Sequence, residues 1–383
     1  MLQSFFVYIT LGLILYSLGY LAHVRQKNNL LLNKKTPFWT WEVALALLVF
    51  AFVAGVRWNV GVDHQHYLAN YLNYQFGGEG IFDKEIGFEY ITQLMARNNV
   101  HFSIYFGFLA FLQLFFIYRA FKDQRYLYPF LGIVILFGPE FLSWMNGIRQ
   151  MLAATMFVFA IQFIQKRQLW KYVGTIVLAS LFHTSAIVLL VFYFIPQKDY
   201  FKHRTLTIGL VIASFLLGNM SFWVEYLTQF SYLLGYLGYD WYSENIELLI
   251  DNEEIRNIGP RRLSMILTPL LVIWYSPKLK STFKNTNFLP YYNIGIFGFL
   301  LYNVFANMNH GFIRPITYLT IFIVPITAYL LVYLRRHLSR MYVMFIITLF
   351  IALSYTPLSI IADYGKGNLD FSNYQFYWYH INK

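Results

Sequence analysis

The sequence contains no cysteine and little charge. The absence of cysteine among its 383 residues excludes disulfides, thiol nucleophiles and thiolate-bound metal or iron–sulfur sites. Charged residues make up 12% of the chain, whereas a soluble domain has about 25%. The chain also lacks the GxxxxGK[ST] motif and a strand-linked GxGxxG, two patterns by which proteins bind nucleotides. We therefore expect neither an ordinary soluble domain nor ATP hydrolysis by the chain itself.

Apolar residues are abundant instead. They make up 58% of the chain, with 39 Phe and 32 Tyr, and the mean hydropathy is +0.48. Apolar runs of spanning length lie at 5–22, 39–56, 103–121, 127–144, 148–165, 205–222, 262–276, 288–306, 313–334 and 341–356. They predict an all-α, polytopic membrane protein with about ten transmembrane helices. The prediction is a single integral-membrane domain over residues 1–383.

The basic residues predict the orientation of this domain. Most of the 29 Lys and Arg lie in short segments between apolar runs, at 23–38, 119–126, 165–171, 197–205, 277–287 and 335–340. Short loops rich in Lys and Arg face the cytoplasm. Both termini and three outer segments, 57–102, 223–261 and 357–383, are then expected outside. The net charge of +11 thus indicates membrane topology rather than a nucleic-acid partner.

The stretch 172–195 departs from this pattern. It is long enough to cross the membrane once, but Lys171 precedes it and Lys198 follows it. Basic residues at both ends predict a re-entrant-type hairpin that enters and leaves on one side. His183 would lie at its tip, where non-helical backbone must be satisfied by protein or water. For His183 we favour catalysis or substrate contact over the alternative, a satisfied histidine in an apolar core.

The first outer segment contains several candidate site residues. Arg57 follows an apolar run on the outer side, which favours a bound anion or a buried partner over a solvated position. If residues 63–74 are helical, Asp63 and Tyr67 share a polar and aromatic face; the alternative is an amphipathic helix at the membrane interface. Glu85 stands at the next predicted helix start. Its carboxylate either stabilises that start or faces a sugar hydroxyl or an arginine in a cleft.

Two arginines stand at outer helix starts. In the segment 146–150, Asn-Gly-Ile-Arg-Gln, the chain turns and begins an apolar run. Backbone N–H groups at a helix N-terminus and a guanidinium together form an anion site, which makes Asn146, Arg149 and Gln150 candidates for substrate binding. The alternative is a snorkelling arginine. Arg314 repeats this arrangement late in the chain.

No metal site is predicted. His64 and His66 are two residues apart and would splay on a helix, and no HExxH or Asp-rich signature accompanies them. No Ser/His/Asp triad can be assembled from spacing alone.

Together these motifs resemble those of the EpsG/Wzy-type polysaccharide polymerases. The family pattern runs G-x-R, G-x-D-x-x-x-Y, E-x-G-F/Y, N-x-x-R-Q and a break with H-x-S. The chain has these motifs in the same order, as Gly55-Val56-Arg57, Gly61-Val62-Asp63 with Tyr67, Glu85-Ile86-Gly87-Phe88, Asn146-Gly147-Ile148-Arg149-Gln150 and His183-Thr184-Ser185. The resemblance is strongest over residues 50–190. It departs at His64 and Thr184, where the family often has Tyr and Pro.

The resemblance implies a GT-C-like glycosyltransferase of the bacterial plasma membrane with an outward-facing active site. Such an enzyme polymerises lipid-linked repeat units of exopolysaccharide, capsule or O-antigen, moving a chain from undecaprenyl diphosphate to a sugar hydroxyl of the next unit. Its partners would be undecaprenyl-diphosphate-linked oligosaccharide, membrane lipid, and chain-length regulator and flippase proteins. No cofactor is implied.

This reaction needs a base for the hydroxyl and positive charge for the departing diphosphate. Histidine exchanges protons near neutral pH, so His183 is the candidate base. Guanidinium groups could take the place of a metal ion, and the candidates are Arg57, Arg149 and Arg314. Asp63 and Glu85 would orient the histidine or the sugar, and either could instead be the base.

Three other functions fit the sequence. They are an O-antigen-ligase-like transferase, a flippase for lipid-linked oligosaccharide, and a non-catalytic assembly subunit. A flippase is disfavoured because its cationic residues should line a central cavity, whereas these arginines gather at outer helix ends.

Overall fold

The structure is a computed structural model that describes residues 1–80, 85–195, 197–218, 259–306 and 310–380. Most of the described chain is α-helical. The helices are α1 Leu2–Leu31, α2 Trp41–Gly55, α3 His64–Gln75, α4 Ile86–Arg97, α5 Phe102–Ala120, α6 Tyr128–Phe137, α7 Glu140–Asn146, α8 Ile148–Gln165, α9 Leu169–Phe182, α10 Arg204–Gly218, α11 Pro260–Thr282, α12 Phe288–Phe305, α13 His310–Thr320, α14 Ile323–His337, α15 Arg340–Leu353 and α16 Tyr355–Asp363. Two short strands, β1 Arg57–Trp58 and β2 Gln375–Phe376, and a 3-10 helix, Thr184–Phe194, complete the elements used below.

Six helical stretches of the described chain are long and apolar enough to cross a membrane. They are Leu2–Leu31, Phe102–Ala120, Ile148–Gln165, Phe288–Phe305, Ile313–His337 and Arg340–Asp363. The pair Arg125–Phe137 and Glu140–Asn146, bent by 64° at the break between its members, would be a seventh. The all-α, multi-pass architecture is thus confirmed, whereas the predicted number of about ten spans is not.

Three helices account for the difference. Helix α2 has 15 residues, which is about 22–23 Å at 1.5 Å per residue and less than the ~30 Å hydrocarbon core. Helix α11 has 23 residues but is not among the stretches that are apolar enough to span. The predicted run at 205–222 corresponds to α10, and its last residues lie outside the described chain. The same holds for most of the predicted outer segment 223–261.

The predicted inner segments meet at one end of the bundle. The contacts that join them are Gln26 to the Lys122 carbonyl at 3.0 Å, the rings of Tyr126 and Phe283 at 6.3 Å, and Lys280 to Asp199 at 2.8 Å. These contacts link segments that are far apart in sequence. The joined segments therefore share one end of the bundle, and the side of the membrane that this end faces stays a prediction.

The tail closes over the opposite end. Strand β2 pairs antiparallel with β1, and the Tyr374 hydroxyl donates to the Val53 carbonyl at 2.6 Å. Near the start of α1, the Ser4 hydroxyl donates to Asn373 Oδ1 at 3.0 Å. The predicted outer segments 57–102 and 357–383 therefore form one layer wherever the structure describes them. The sequence does not predict these strands, because two residues are too few to show a period.

The stretch 172–195 folds back on itself. Helix α9 ends at Phe182, His183 is extended with φ −154° and ψ 112°, and the 3-10 helix follows. The Tyr172 hydroxyl donates to the Leu189 carbonyl at 2.6 Å, so the two arms lie side by side. His183 is at the turn of this hairpin, as the sequence predicts. The placement of the hairpin in the membrane stays a prediction.

Candidate active site

A carboxylate at the end of the bundle opposite the basic loops joins two other predicted site residues. Glu85 Oε2 accepts a hydrogen bond from Arg149 Nη1 at 2.5 Å, and Glu85 Oε1 lies 3.0 Å from His183 Nδ1. The side chains of Glu85, Arg149 and His183 are 10%, 18% and 24% exposed. The three residues thus form one hydrogen-bonded cluster that solvent can reach, although Glu85 and His183 are 98 residues apart in sequence.

Helix packing places Glu85 beside His183. Glu85 directly precedes α4, and Gly87 lies where α4 meets α9. A Cβ atom at position 87 would come within 2.8 Å of Leu181 Cβ, which is closer than packed carbon atoms approach. The glycine of the E-x-G motif therefore permits the helix contact that brings Glu85 to the hairpin turn.

A turn between α7 and α8 places Arg149. Gln113 is fully buried, and its Nε2 lies 3.4 Å from the Trp144 carbonyl and 3.3 Å from the Ile148 carbonyl, on either side of the turn. Gln150 Nε2 donates to the backbone carbonyl of Arg314 and so ties α8 to α13. Gln150 is predicted to bind substrate, but its side-chain nitrogen already donates to this carbonyl.

Asn146 and Gly61 fix the loop that carries Asp63. Asn146 Oδ1 accepts from the Asp63 backbone N–H at 2.9 Å. Gly61 has φ +90°, a conformation open to glycine and rare for other residues. A Cβ atom there would lie 2.8 Å from the Met145 backbone. The glycine of the G-x-D motif thus allows this loop to pack closely against the turn before Arg149.

Two aromatic rings enclose the Arg149 guanidinium. Its Cζ lies 5.9 Å from the ring centre of Tyr67 and 5.6 Å from that of Phe88, within the ~6 Å range of cation–π attraction. Burial raises the pKa of the Tyr67 phenol, although the Arg149 charge acts in the opposite direction. Tyr67 therefore stays neutral and keeps a hydroxyl proton to donate.

The cluster keeps Glu85 ionised. Burial raises the pKa of this carboxyl, but the hydrogen bond with His183 and the charge of Arg149 outweigh burial, so the pKa lies below its ordinary value of 4.5. An ionised carboxylate can only accept hydrogen bonds. The proton between Glu85 and His183 is therefore on Nδ1, and Nε2 is the ring nitrogen that does not face Glu85.

Arg57 is not part of this cluster. It is 1% exposed, and its guanidinium donates to the carbonyls of Val60 at 3.3 Å, Met145 at 3.4 Å and Ala54. Burial lowers its pKa to about 10, which leaves it charged at neutral pH. Of the two expectations for Arg57, a bound anion and a buried partner, the structure shows the buried partner, and this corrects the assignment of Arg57 to the diphosphate. The Arg57 side chain instead holds together the loop that follows α2.

Arg314 and Asp63 lie at the edge of the cluster. The Arg314 side chain is exposed and that of Asp63 is partly exposed. Both charges act on the Tyr67 hydroxyl, which places them within electrostatic reach of it. Among the described residues, no ion pair engages either side chain. These two groups are accessible to a ligand from solvent.

Tyr318 is a site residue that sequence reasoning missed. Its hydroxyl lies 3.1 Å from Ser185 Oγ, and its ring centre is 6.5 Å from that of His183. As one of 32 tyrosines within an apolar run, Tyr318 does not stand out. A signal was its spacing of four residues from Arg314, which puts both on one helix face.

His64, one of the other histidines considered in the sequence, is not part of the cluster. His64 is fully buried, with its ring centre 5.7 Å from Trp58 and 5.1 Å from Phe106. Burial, with the Arg57 charge, lowers its pKa to about 3, so it is a neutral packing residue. Among the described residues, no group of three or more His, Asp or Glu is arranged to hold a metal ion.

Comparison with known proteins places this geometry in a family. No curated protein and no solved structure matches the chain. The model of the EpsG family matches residues 41–376, which include the whole cluster and extend well beyond the motifs at 50–190. The chain belongs to the EpsG family.

Proposed function

We propose that this multi-pass membrane protein is a glycosyltransferase that polymerises lipid-linked oligosaccharide repeat units. Membership of the EpsG family supports a role in polysaccharide polymerisation. The observation that carries the proposal is the Glu85 carboxylate held between Arg149 and His183. The donor would be a chain on undecaprenyl diphosphate, and the acceptor a sugar hydroxyl of the next unit.

His183 would act as the base. As the acceptor oxygen attacks the anomeric carbon, the bond between that carbon and the diphosphate oxygen breaks. The hydroxyl proton passes to Nε2 of His183, the nitrogen that does not face Glu85. The imidazolium that forms is stabilised by the Glu85 carboxylate at Nδ1, which makes Glu85 a positioning residue.

Arg149 and Arg314 would stabilise the departing diphosphate. Glu85 occupies Nη1 of Arg149, but a guanidinium has five N–H donors in a fixed fork. Tyr67 also hydrogen-bonds Arg149, so a phosphate oxygen would meet the guanidinium beside both of these protein partners. Because Glu85 offsets the charge of Arg149, the exposed Arg314 supplies the net positive charge.

Asp63 and Tyr67 would contact the sugar. The carboxylate accepts hydrogen bonds from sugar hydroxyls, and the neutral phenol donates one. Asn146 acts indirectly, through its bond to the Asp63 backbone. The site lies at the end of the bundle opposite the basic loops, so we place it on the outer side of the bacterial plasma membrane.

A ligase-like transferase would use the same residues with a different acceptor. A flippase would not require an oriented base. Its cationic residues should also line a central cavity, whereas Arg149 and Arg314 lie at one end of the bundle. Both differences favour a transferase.

His183→Ala tests the proposal in membranes supplied with a lipid-linked repeat unit. Chain extension should fall ~10²–10⁴-fold, while affinity for the lipid-linked donor stays near wild type because the base acts in the transition state. His66→Ala is the matched control, since His66 is exposed in the same outer segment and should keep full activity.

Three measurements on one preparation separate the outcomes. Polymer length on a gel, donor affinity and monodispersity in detergent together distinguish a lost base from a misfolded protein. A monodisperse His183→Ala variant that makes full-length polymer would remove His183 from the mechanism. Wild-type protein that transfers a preformed glycan to a lipid acceptor, without extending it, would favour the ligase-like function.

A further inference from the structure

A second buried polar site lies within the bundle, at the break between α6 and α7. The two helices are bent by 64° at Gly138 and Pro139. Glu140, the first residue of α7, is 7% exposed. It lines a cavity of about 80 Å³ whose other walls come from α6, α11, α12, α13, α14, α15 and α16.

The Glu140 carboxylate has no cationic partner at this site. None of the residues that line the cavity is Lys, Arg or His. Among the described residues, no ion pair reaches Glu140, and its carboxylate accepts from its own backbone N–H. A carboxylate so deeply buried is strongly disfavoured unless a proton or a cation neutralises it.

The hydroxyl groups around Glu140 present acceptor atoms to the cavity. Three of them donate their protons to carbonyls of their own helices, namely Ser264 to Arg261 at 2.7 Å, Thr268 to Ser264 at 3.1 Å and Ser354 to Ile351 at 3.0 Å. Their remaining lone pairs can only accept. Thr327 Oγ1, also at the cavity, is buried without a hydrogen-bond partner in the described chain. Among mostly apolar walls, the cavity thus holds the Glu140 carboxylate and a few hydroxyl oxygens that could coordinate a cation.

The size of the cavity limits what it can hold. At about 80 Å³ it has roughly half the volume of a ~150 Å³ cavity that accommodates benzene. It has room for water or a small cation.

We propose that this cavity binds one Na⁺ ion. Hard cations prefer oxygen ligands, and membrane proteins coordinate Na⁺ where a transmembrane helix is interrupted. The Glu140 carboxylate would supply the single negative charge, and hydroxyl oxygens such as that of Thr327 the neutral ligands. The ion would hold the α6–α7 break in place. Since α7 ends at Asn146, this break also sets the turn that carries Arg149.

Binding of ²²Na⁺ to the purified protein in detergent tests the site. Wild-type protein should bind saturably, and its melting temperature should be higher in NaCl than in choline chloride of equal ionic strength. Glu140→Gln should weaken Na⁺ binding at least ~10-fold and Thr327→Val by a smaller factor. Thr155→Val is the control: this hydroxyl is buried on α8, is not part of the cavity wall, and its loss should leave the affinity unchanged.

Each other outcome would overturn the site. Absence of saturable ²²Na⁺ binding to wild type would do so directly. A melting temperature that responds to pH and not to Na⁺ would mean that Glu140 takes a proton instead. If Glu140→Gln does not fold, the Na⁺ affinities of Thr327→Val and Thr155→Val are compared instead. Equal Na⁺ affinities in these two variants would mean that the ion does not bind in this cavity.

Discussion

At the residue scale, one guanidinium has two partners to satisfy. Arg149 holds Glu85 through Nη1, and its guanidinium would also contact the diphosphate. A lysine keeps the charge but is a point donor that cannot reproduce the fork. Arg149→Lys should therefore lose ~10²–10³ in polymerisation rate, the usual effect of removing one charge-stabilising donor. The measurement is the initial rate of chain extension in membranes.

The control for this variant is Arg97→Lys. Arg97 is exposed near the end of α4, outside the cluster, and its substitution should leave the rate within about twofold, since isolated surface charges contribute little. A rate near wild type for Arg149→Lys would show that Arg149 does not stabilise the departing diphosphate.

Sequence reasoning named the three residues that the structure joins by hydrogen bonds, but not their surroundings. His183, Glu85 and Arg149 each stand at a helix break or start, and polarity at such positions is visible in sequence. Sequence alone does not decide whether Arg57 has a bound anion or a buried partner, because one of the carbonyls that it binds belongs to Met145, 88 residues away. The same reason hides the contact of Gln150 with the Arg314 backbone. Tertiary contacts, rather than local pattern, decide which arginine faces solvent.

At the scale of elements, the close contact of α4 with α9 controls the distance between Glu85 and His183. Gly87→Ala would place a Cβ atom 2.8 Å from Leu181 Cβ, so one helix has to move. Activity should fall at least ~10-fold, because small misplacements of a reacting group are costly. The rate of chain extension and the donor affinity measured together would show a loss in the chemical step.

Gly174→Ala is the matched control on α9. Nothing lies within 4 Å of a Cβ atom at this position, so full activity is expected, with a stability gain of about 0.5–1 kcal/mol from the better helix propensity of Ala. Equal activity of the two alanine variants would show that the helix contact does not position Glu85.

If residues 172–195 form a hairpin, both of its ends lie on the same side of the membrane. Single cysteines at Lys171 and Lys198 are the first thiols in a chain that has none, so an impermeant thiol reagent in intact cells reports on them alone. Both should be protected, because the two arms lie side by side and both ends are basic. Lys366→Cys, exposed in the outer tail, should be labelled and serves as the positive control.

Labelling of position 198 without position 171 would contradict the hairpin. The stretch would then be one ordinary span, and the orientation of every later helix would be reversed. Hydropathy alone cannot decide this, because it gives the length of an apolar run and not where its helix stops. In this stretch the helix stops at Phe182 and a 3-10 helix continues, within a run that reads as uninterrupted apart from His183.

At the scale of the whole molecule, the tail supports the loop behind the site. Tyr374 is buried, contacts the Tyr8 ring at 5.8 Å and bonds the Val53 carbonyl. Tyr374→Ala should lower the free energy of unfolding by about 3–5 kcal/mol, as for other buried aromatic truncations, and should reduce activity. Chemical unfolding in detergent measures the first effect and the polymerisation assay the second.

Tyr379→Ala provides the comparison within the same tail. Tyr379 is 60% exposed, and its loss should change the unfolding free energy by less than about 0.5 kcal/mol. A similar loss for both variants would mean that the tail acts through general destabilisation and not through the buried contact.

The bond between Tyr374 and Val53 spans 321 residues of chain, and this sets an order of events during synthesis. At 5–20 residues per second, the ribosome needs on the order of 16–64 s to progress from one partner to the other. Throughout that interval β1 has no partner strand, and the loop organised by Arg57 is held from one side. The layer that β1 and β2 share is therefore completed last, so a nascent chain can bring His183, Glu85 and Arg149 together before the tail has closed over this end of the bundle.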